Sequence, residues 1–338
     1  MRIGHNPYKD KPNQNSEYLH QMVIPVFIPN QSDYFKESFK VLKLCLQSIF
    51  ATTHNKTFIT VVNNGSCLEI QQYLDKLFET NQIHEIIHTQ NIGKLNAILK
   101  GLAGNNIELV TISDSDVLFI NGWQQETISV FNQISKVGVV GIVPQFNMHK
   151  VNSFNILFDN LFNKKIRFLP IKNPDDLSKF YDSIAWDKNY NHDYLKFSLG
   201  LVWNQDLNVL IGSGHFVATY KKDIFEQIIS NIPYKMGGNS ESYLDEIPLE
   251  KDYWRVTTCN NYAYHIGNTI EDWMFEINKE IVIVNNETIN YGFDKLNKIS
   301  KLKFLLKNKI LQIILKNNSC YKIFLKWKKL PTKMIKNY

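Results

Sequence analysis

Apolar positions in the first half of the chain follow two alternating rhythms. The runs "MVIPVFI", "TFITVVNN", "IHEIIHT", "IELVTISD" and "VGVVGIV" are short and rich in β-branched residues, and read as strands. Between them, "ESFKVLKLCLQSIF", "LEIQQYLDKLF", "NIGKLNAILKGL" and "WQQETISVFNQI" repeat apolar residues three and four apart, as helices with one buried face do. The alternation predicts an α/β fold, a Rossmann-like, mostly parallel sheet covered by helices on both faces. Ligands of such folds sit beyond the carboxyl ends of the strands. Two polar turns fall there: Asn63–Asn64–Gly65–Ser66 after the second strand and Asp114–Ser115–Asp116 after the fourth.

The rhythm breaks between residues 145 and 205, an aromatic-rich stretch in which Phe154, Leu157, Phe158, Leu161 and Phe162 recur at helical spacing and predict a core-facing stripe. Strand-like "NVLIGSGHFVATY", helical "KKDIFEQII", the glycine-containing loop "YKMGGNSESY" and the acidic "YLDEIPLEKDYWRV" follow. The final segment interleaves Leu302, Leu305, Leu306, Ile310, Ile313 and Ile314 with lysines, then repeats Lys322, Lys326, Lys329, Lys333 and Lys336 at helical spacing. This predicts a basic amphipathic helical tail over 291–338, after an amino-terminal extension over 1–21 and one domain over 22–290 that divides near residue 145. No internal repeat is present.

Composition adds limits. With 338 residues, 44% of them hydrophobic, the chain can bury a full core. Its longest uncharged apolar runs fall short of the roughly 20 residues a spanning helix needs. The amino terminus lacks the apolar centre of a secretory signal, and the four cysteines, Cys45, Cys67, Cys259 and Cys320, form no metal-type pairs, so a cytoplasmic, reduced protein is expected. The formal charge of +6 hides an asymmetry: the segment after Asp294 holds thirteen lysines and no acid, which leaves the remainder at −7.

In "LVTISDSDVLFINGW" a strand ends in two carboxylates. Residues two apart in an extended segment point the same way, so Asp114 and Asp116 can project together. Two hard oxygen donors suit Mg²⁺ or Mn²⁺, whose shells are completed by water and phosphate. Solvated loop aspartates, or a cap for the helix near Gln124, are the plainer alternative.

Four motifs occur in a telling order: "VIPVFIPN" with "LCLQSI", then "VVNNGS", "NIGKLNAIL" and "ISDSDV". Together they resemble glycosyltransferase family 2, which has the GT-A fold, over about residues 22–268. The resemblance implies that Asn63 and Asn64 line a base and ribose pocket, that Asp114 contacts ribose or water, and that Asp116 ligates a metal bridging a diphosphate. Lys94 would add positive charge near the phosphates, or be a surface lysine at a helix start. The family usually has aspartate where this chain has Asn63. The implied reaction moves a sugar from a nucleotide-diphosphate donor to a hydroxyl of a surface glycan or lipid-linked acceptor, inverting the anomeric centre, with a carboxylate base from a later acidic segment. Here Asp245 is the first choice and Glu246 the second; Asp245 as a helix cap is the alternative.

Other residues carry weaker signals. His265, in "YAYHIGN", is a candidate third metal ligand or a hydrogen-bonded structural histidine. Gly212 and Gly214, in "IGSGHF", would let the backbone approach a donor sugar, with His215 beside them, or would mark a bulged strand. Trp186 and Tyr190 are the acceptor candidates, because ring faces suit sugar stacking. The tail reads as a contact for an anionic membrane at the inner face, with packing onto the body or nucleic-acid binding as alternatives; no base-reading module supports the last. Two competing functions stay open: a sugar nucleotidyltransferase, which should carry a glycine-rich loop near the first strand, and a catalytically silent scaffold.

Overall fold

The structure, a computed structural model, describes residues 4–11, 16–227, 229–237, 240–284 and 292–338. Strands β1 (His20–Val26), β2 (Thr57–Asn64), β3 (Glu85–Thr89) and β4 (Leu109–Ser113) alternate with helices α1 (Ser38–Thr52), α2 (Leu68–Glu79) and α3 (Lys94–Leu102). Then come β5 (Val117–Phe119), α4 (Trp123–Gln133), β6 (Val137–Gly141), α5 (Phe154–Asp159), β7 (Ile166–Pro170) and α6 (Pro174–Ser183). The rest comprises β8 (Phe197–Val202), β9 (Asn208–Ile211), β10 (Val217–Lys221), α7 (Ser242–Glu246), β11 (Trp254–Thr258), β12 (Ala263–His265) and α8 (Asp272–Glu280), then α9 (Lys301–Leu305), α10 (Leu311–Lys316) and α11 (Asn318–Trp327).

Ten strands form one sheet in the order β3-β2-β1-β4-β10-β6-β11-β9-β8-β7. The first four are parallel, as the alternating rhythm requires, and β6 and β11 are parallel neighbours. Strand β10 runs antiparallel between β4 and β6, and β7, β8 and β9 form an antiparallel flank. Strand β1 is buried throughout: Met22, Ile24 and Val26 face the core under α1 and α2, and Val23 faces the core under α3. Such two-sided burial is why it reads as a continuous apolar run. Because the chain places β2 on one side of β1 and β4 on the other, the crevice at their carboxyl ends is the topological switch point.

The second half departs from the simple pattern. The run 208–220 is two strands, β9 and β10, separated where Gly212 takes φ +91°; a Cβ there would lie 2.3 Å from the Met148 carbonyl oxygen. The helical reading of 221–229 reduces to a 3₁₀ turn, Lys222–Phe225. Of the aromatic stripe, Phe154 and Leu157 are buried in the short α5, while Phe158, on its outer side, and Phe162, beyond its end, are exposed.

The basic segment packs on the body. Leu311, Phe324, Leu325, Leu330 and Met334 share one apolar cluster with Val137, Val140, Leu199 and Val256 of the sheet. Lys307 is buried, pairing with Asp159 at 2.6 Å and with Asp252, and Lys328 donates to the Leu161 carbonyl at 2.7 Å. The helices from Leu311 onward thus share a core with the sheet. The helical pattern there has two faces, and the inner one finds its partner on the sheet. Among the described residues, no helix is long and apolar enough to cross a membrane.

Candidate functional site

A cleft of about 420 Å³ opens at the switch point. Phe27, Ile28, Tyr34 and Phe35 form an apolar wall; Asn64, Asn91, Lys94, Asp114, Ser115 and Asp116 supply polar groups; Lys235 and Met236 come from a later loop. A few convergent polar groups on an apolar floor are what a small-molecule site requires.

Backbone bonds fix the aspartate turn on both sides. The Asp114 amide donates to the Phe216 carbonyl at 2.8 Å, and the Ile266 amide donates to the Asp116 carbonyl at 2.8 Å. Strands β5 and β12 pair antiparallel with His265 opposite Val117, so residues far apart in sequence meet beside Asp116. His265 Nε2 lies 3.5 Å from Asp116 Oδ2, and its Nδ1 bonds Ser183 Oγ at 2.9 Å, which orients the ring. Burial raises the Asp116 pKa, with Asp114 adding to it and His265 opposing.

Lys94 opens α3 behind Gly93, whose φ of +94° suits only glycine. A Cβ on Gly93 would meet Lys235 Cα at 2.8 Å, and the Lys94 amide donates to the Lys235 carbonyl at 2.9 Å, so the loop of Lys235 and Met236 is seated on this turn. Lys94 Nζ then pairs with Asp114 at 2.8 Å and Glu241 at 2.7 Å. His215 lies between Glu241 and Asp245, 3.3 Å from each, and Arg255 closes on the second Asp245 oxygen. Alternating charges thus run from the cleft into the interior: Asp114, Lys94, Glu241, His215, Asp245, Arg255. Burial opposes the charge on Lys94, but Asp114 and Glu241 raise its pKa. Burial likewise opposes the charge on His215, but its bonds to Asp245 and Glu241 hold its pKa up at about 9. The His215 bond is the main cause that pushes Glu241 down to about 2, with burial opposing and Lys94 assisting.

The His215 shift has a pH consequence. A folded-state pKa raised from 6.5 to about 9 contributes stability that is complete below about pH 6.5 and lost as pH rises through about 9. The thermal midpoint should fall across that window, and His215→Gln should flatten the slope; an unchanged slope in the variant removes His215 from the explanation.

The structure brings together Asn64, Lys94, Asp114, Asp116 and His265. Asn63 is elsewhere: its Oδ1 accepts from the Ser66 amide at 2.9 Å and its Nδ2 bonds His88 at 3.0 Å, so it is used in its own turn. The space beside Gly214 is filled by the Gln145 side chain, 2.3 Å from where a Cβ would stand, so the close approach there is to protein. Asp245 is the buried partner of Arg255, and Glu246 is exposed, so neither has the setting expected of a base in the cleft. Trp186 is exposed and Tyr190 packs on Phe146 and Tyr181; neither lines the cleft. Glu241 and Arg255 went unread as site residues. A lone arginine in the apolar run "YWRVTT" does imply a buried acid partner, but nothing in the sequence singles out Glu241 from its acidic neighbours.

Among the described residues no three His, Cys, Asp or Glu side chains gather closely enough to hold an ion unaided. Asp114 is also engaged by Lys94. Yet Asp116 Oδ1 is buried without a hydrogen-bond partner, beside His265. That donor set fits Mn²⁺ or Mg²⁺, hard ions that use one or two protein carboxylates and draw remaining ligands from water and phosphate.

The mostly parallel sheet thus carries a polar cleft at its topological switch point, where α/β folds bind their ligands. The family model described as Glycosyl transferase family 2 matches residues 33–186, so the family resemblance expected from the motifs holds over that segment. No curated protein sequence matches the chain. Among solved structures, S. aureus TarS 1-349 is 15% identical with a TM-score of 0.41, over 73% of this chain and 60% of that one. The same TarS fragment in complex with UDP-GlcNAc is 13% identical with a TM-score of 0.44, over 91% of this chain and 71% of that one. The mannosyltransferase PcManGT from Pyrobaculum calidifontis, in complex with GDP-Man and Mn²⁺, is 15% identical with a TM-score of 0.41, over 74% of this chain and 59% of that one. The chain thus spans about 60% of the first of these structures.

Proposed function

We propose that the chain is a metal-dependent, inverting glycosyltransferase that moves a sugar from a nucleoside-diphosphate donor to a hydroxyl of a surface glycan or lipid-linked acceptor at the inner membrane face. The observation that carries this reading is the trio Lys94, Asp114 and Asp116 at the mouth of a cleft walled by Phe27, Tyr34 and Phe35. The apolar wall suits a base ring, and Asn64 and Asn91 offer amides beside it. The acceptor oxygen would bond to the anomeric carbon as the bond to the diphosphate breaks, the electron pair leaving with the nucleoside diphosphate. Asp116 and His265 are the residues that would hold the divalent ion, which supplies charge neutralisation for the leaving diphosphate. Lys94 adds a fixed positive charge next to them.

The acceptor proton must go to a base. Of the three acids in the segment 241–246, Glu241 is partly exposed and bonded to the cleft residue Lys94, so we assign the role to Glu241 in place of Asp245 or Glu246. Its pairs with Lys94 and His215, which hold its pKa down at about 2, must loosen when donor and acceptor bind for it to take a proton. Glu241→Gln should lower kcat by about a hundredfold and change donor affinity little. Unchanged turnover would return the role to another acid. The reading as a whole is tested by a thermal-shift panel of UDP- and GDP-sugars with and without Mn²⁺. One donor should stabilise the fold strongly only when metal is present; no donor-dependent shift, together with no donor hydrolysis, would overturn it.

A further inference from the structure

We infer that the carboxy-terminal helices and the end of α5 form a docking face for an anionic lipid bilayer, in which an aromatic pair drawn from distant parts of the chain enters the interface. Phe162 is 85% exposed and Trp327 is 47% exposed, and their rings lie 5.9 Å apart. Leu302, Leu305, Ile313 and Ile323, each more than half exposed, lie on the adjoining helices α9, α10 and α11. Helix α10 packs on α11 and on α5, and Phe162 follows three residues after the end of α5. Holding so many large apolar groups in water is unfavourable unless another apolar phase covers them.

The charge pattern selects that phase. Lys307 and Lys328 are buried and tie the segment to the body, so they fix which side faces outward. Lys309, Lys316, Lys322, Lys326, Lys329 and Lys333 are exposed, and no acid among the described residues lies within salt-bridge distance of them. Exposed apolar groups flanked by unpaired lysines suit a bilayer carrying anionic headgroups, with the helices lying in its plane. No helix among the described residues can cross it. A nucleic acid or an acidic protein would satisfy the lysines and leave Leu302, Ile313 and Phe162 in water. Sequence spacing shows the lysines and aliphatic residues; only the fold joins Phe162 to Trp327.

The inference is independent of the chemistry in the cleft and is tested by binding alone. The intact chain is sedimented with vesicles of phosphatidylcholine, with or without phosphatidylglycerol. Mixed vesicles should bind about tenfold or more tightly than neutral ones, with the difference falling as salt rises. Phe162→Ala with Trp327→Ala, and separately Ile313→Asp, should each weaken binding about tenfold while leaving the thermal midpoint unchanged, since all three side chains are outside the core. A triple Lys322, Lys326, Lys329→Gln variant should remove the preference for phosphatidylglycerol. Equal binding to both vesicle types, no binding to either, or full binding by the apolar variants would overturn the inference. So would retention of the chain on a soluble polyanion at the affinity seen for mixed vesicles, unaltered by the apolar substitutions.

Discussion

Asp116→Ala is expected to lower glycosyl transfer about a thousandfold, in the range seen when one transition-state stabiliser is removed, without destabilising the fold. Its Oδ1 is buried with no partner, burial and the neighbouring Asp114 carboxylate raise its pKa, and His265 stands 3.5 Å away as its compensating neighbour. A carboxylate in that position contributes little to stability; removing it relieves desolvation and like-charge repulsion. The thermal midpoint of Asp116→Ala, or of the shape-conserving Asp116→Asn, should therefore stay level or rise while kcat collapses. A residue kept for structure would show the reverse. Undiminished transfer by the variant under strict chelation would remove the metal reading altogether.

The opposite behaviour is expected of the pair Asp245 and Arg255. Arg255 is fully buried, donates to the Ser213 carbonyl and closes on Asp245, itself buried. Asp245→Asn leaves the Arg255 charge in the interior without its partner, which costs about 3–5 kcal/mol, and Arg255→Met leaves Asp245 with His215 alone, which costs less. Urea midpoints should fall accordingly, and the molecules that remain folded should still bind donor. The double substitution should cost less than the two single ones added, because it removes both charges together. If Asp245→Asn instead abolished transfer at unchanged stability, Asp245 and not Glu241 would be the base.

Those contrasts show where the sequence was legible and where it was not. The parallel half of the sheet was readable because β1, β2 and β4 are buried almost throughout and the strands are separated by helices of ordinary length, so β1 to β4 and α1 to α3 emerge from periodicity alone. The aspartate turn was readable because two carboxylates at a strand end have few uses. Strand β10 was not placed by pattern, since insertion between β4 and β6 is a long-range choice that leaves no local trace. The network from Lys94 to Arg255 was hidden for the same reason: Glu241 and Asp245, at the start of and within the short α7, meet Lys94 and His215 from far earlier in the chain. Asn63 shows the limit of reading roles from position, because its side chain bonds within its own turn. The tail showed its charge in sequence, but the inner face that completes the core emerged only with the sheet it covers.

The short ribbon of β5 and β12 has a consequence for any attempt to retune ion preference. Asp116, just before β5, and His265, on β12, are held by main-chain bonds between the two segments, so the distance between their backbones is set by peptide groups. A point substitution there changes which atom is presented and leaves the mounting as it was. Lengthening or shortening one of the two side chains is thus the available adjustment, and reshaping the neighbouring core would have little purchase on it.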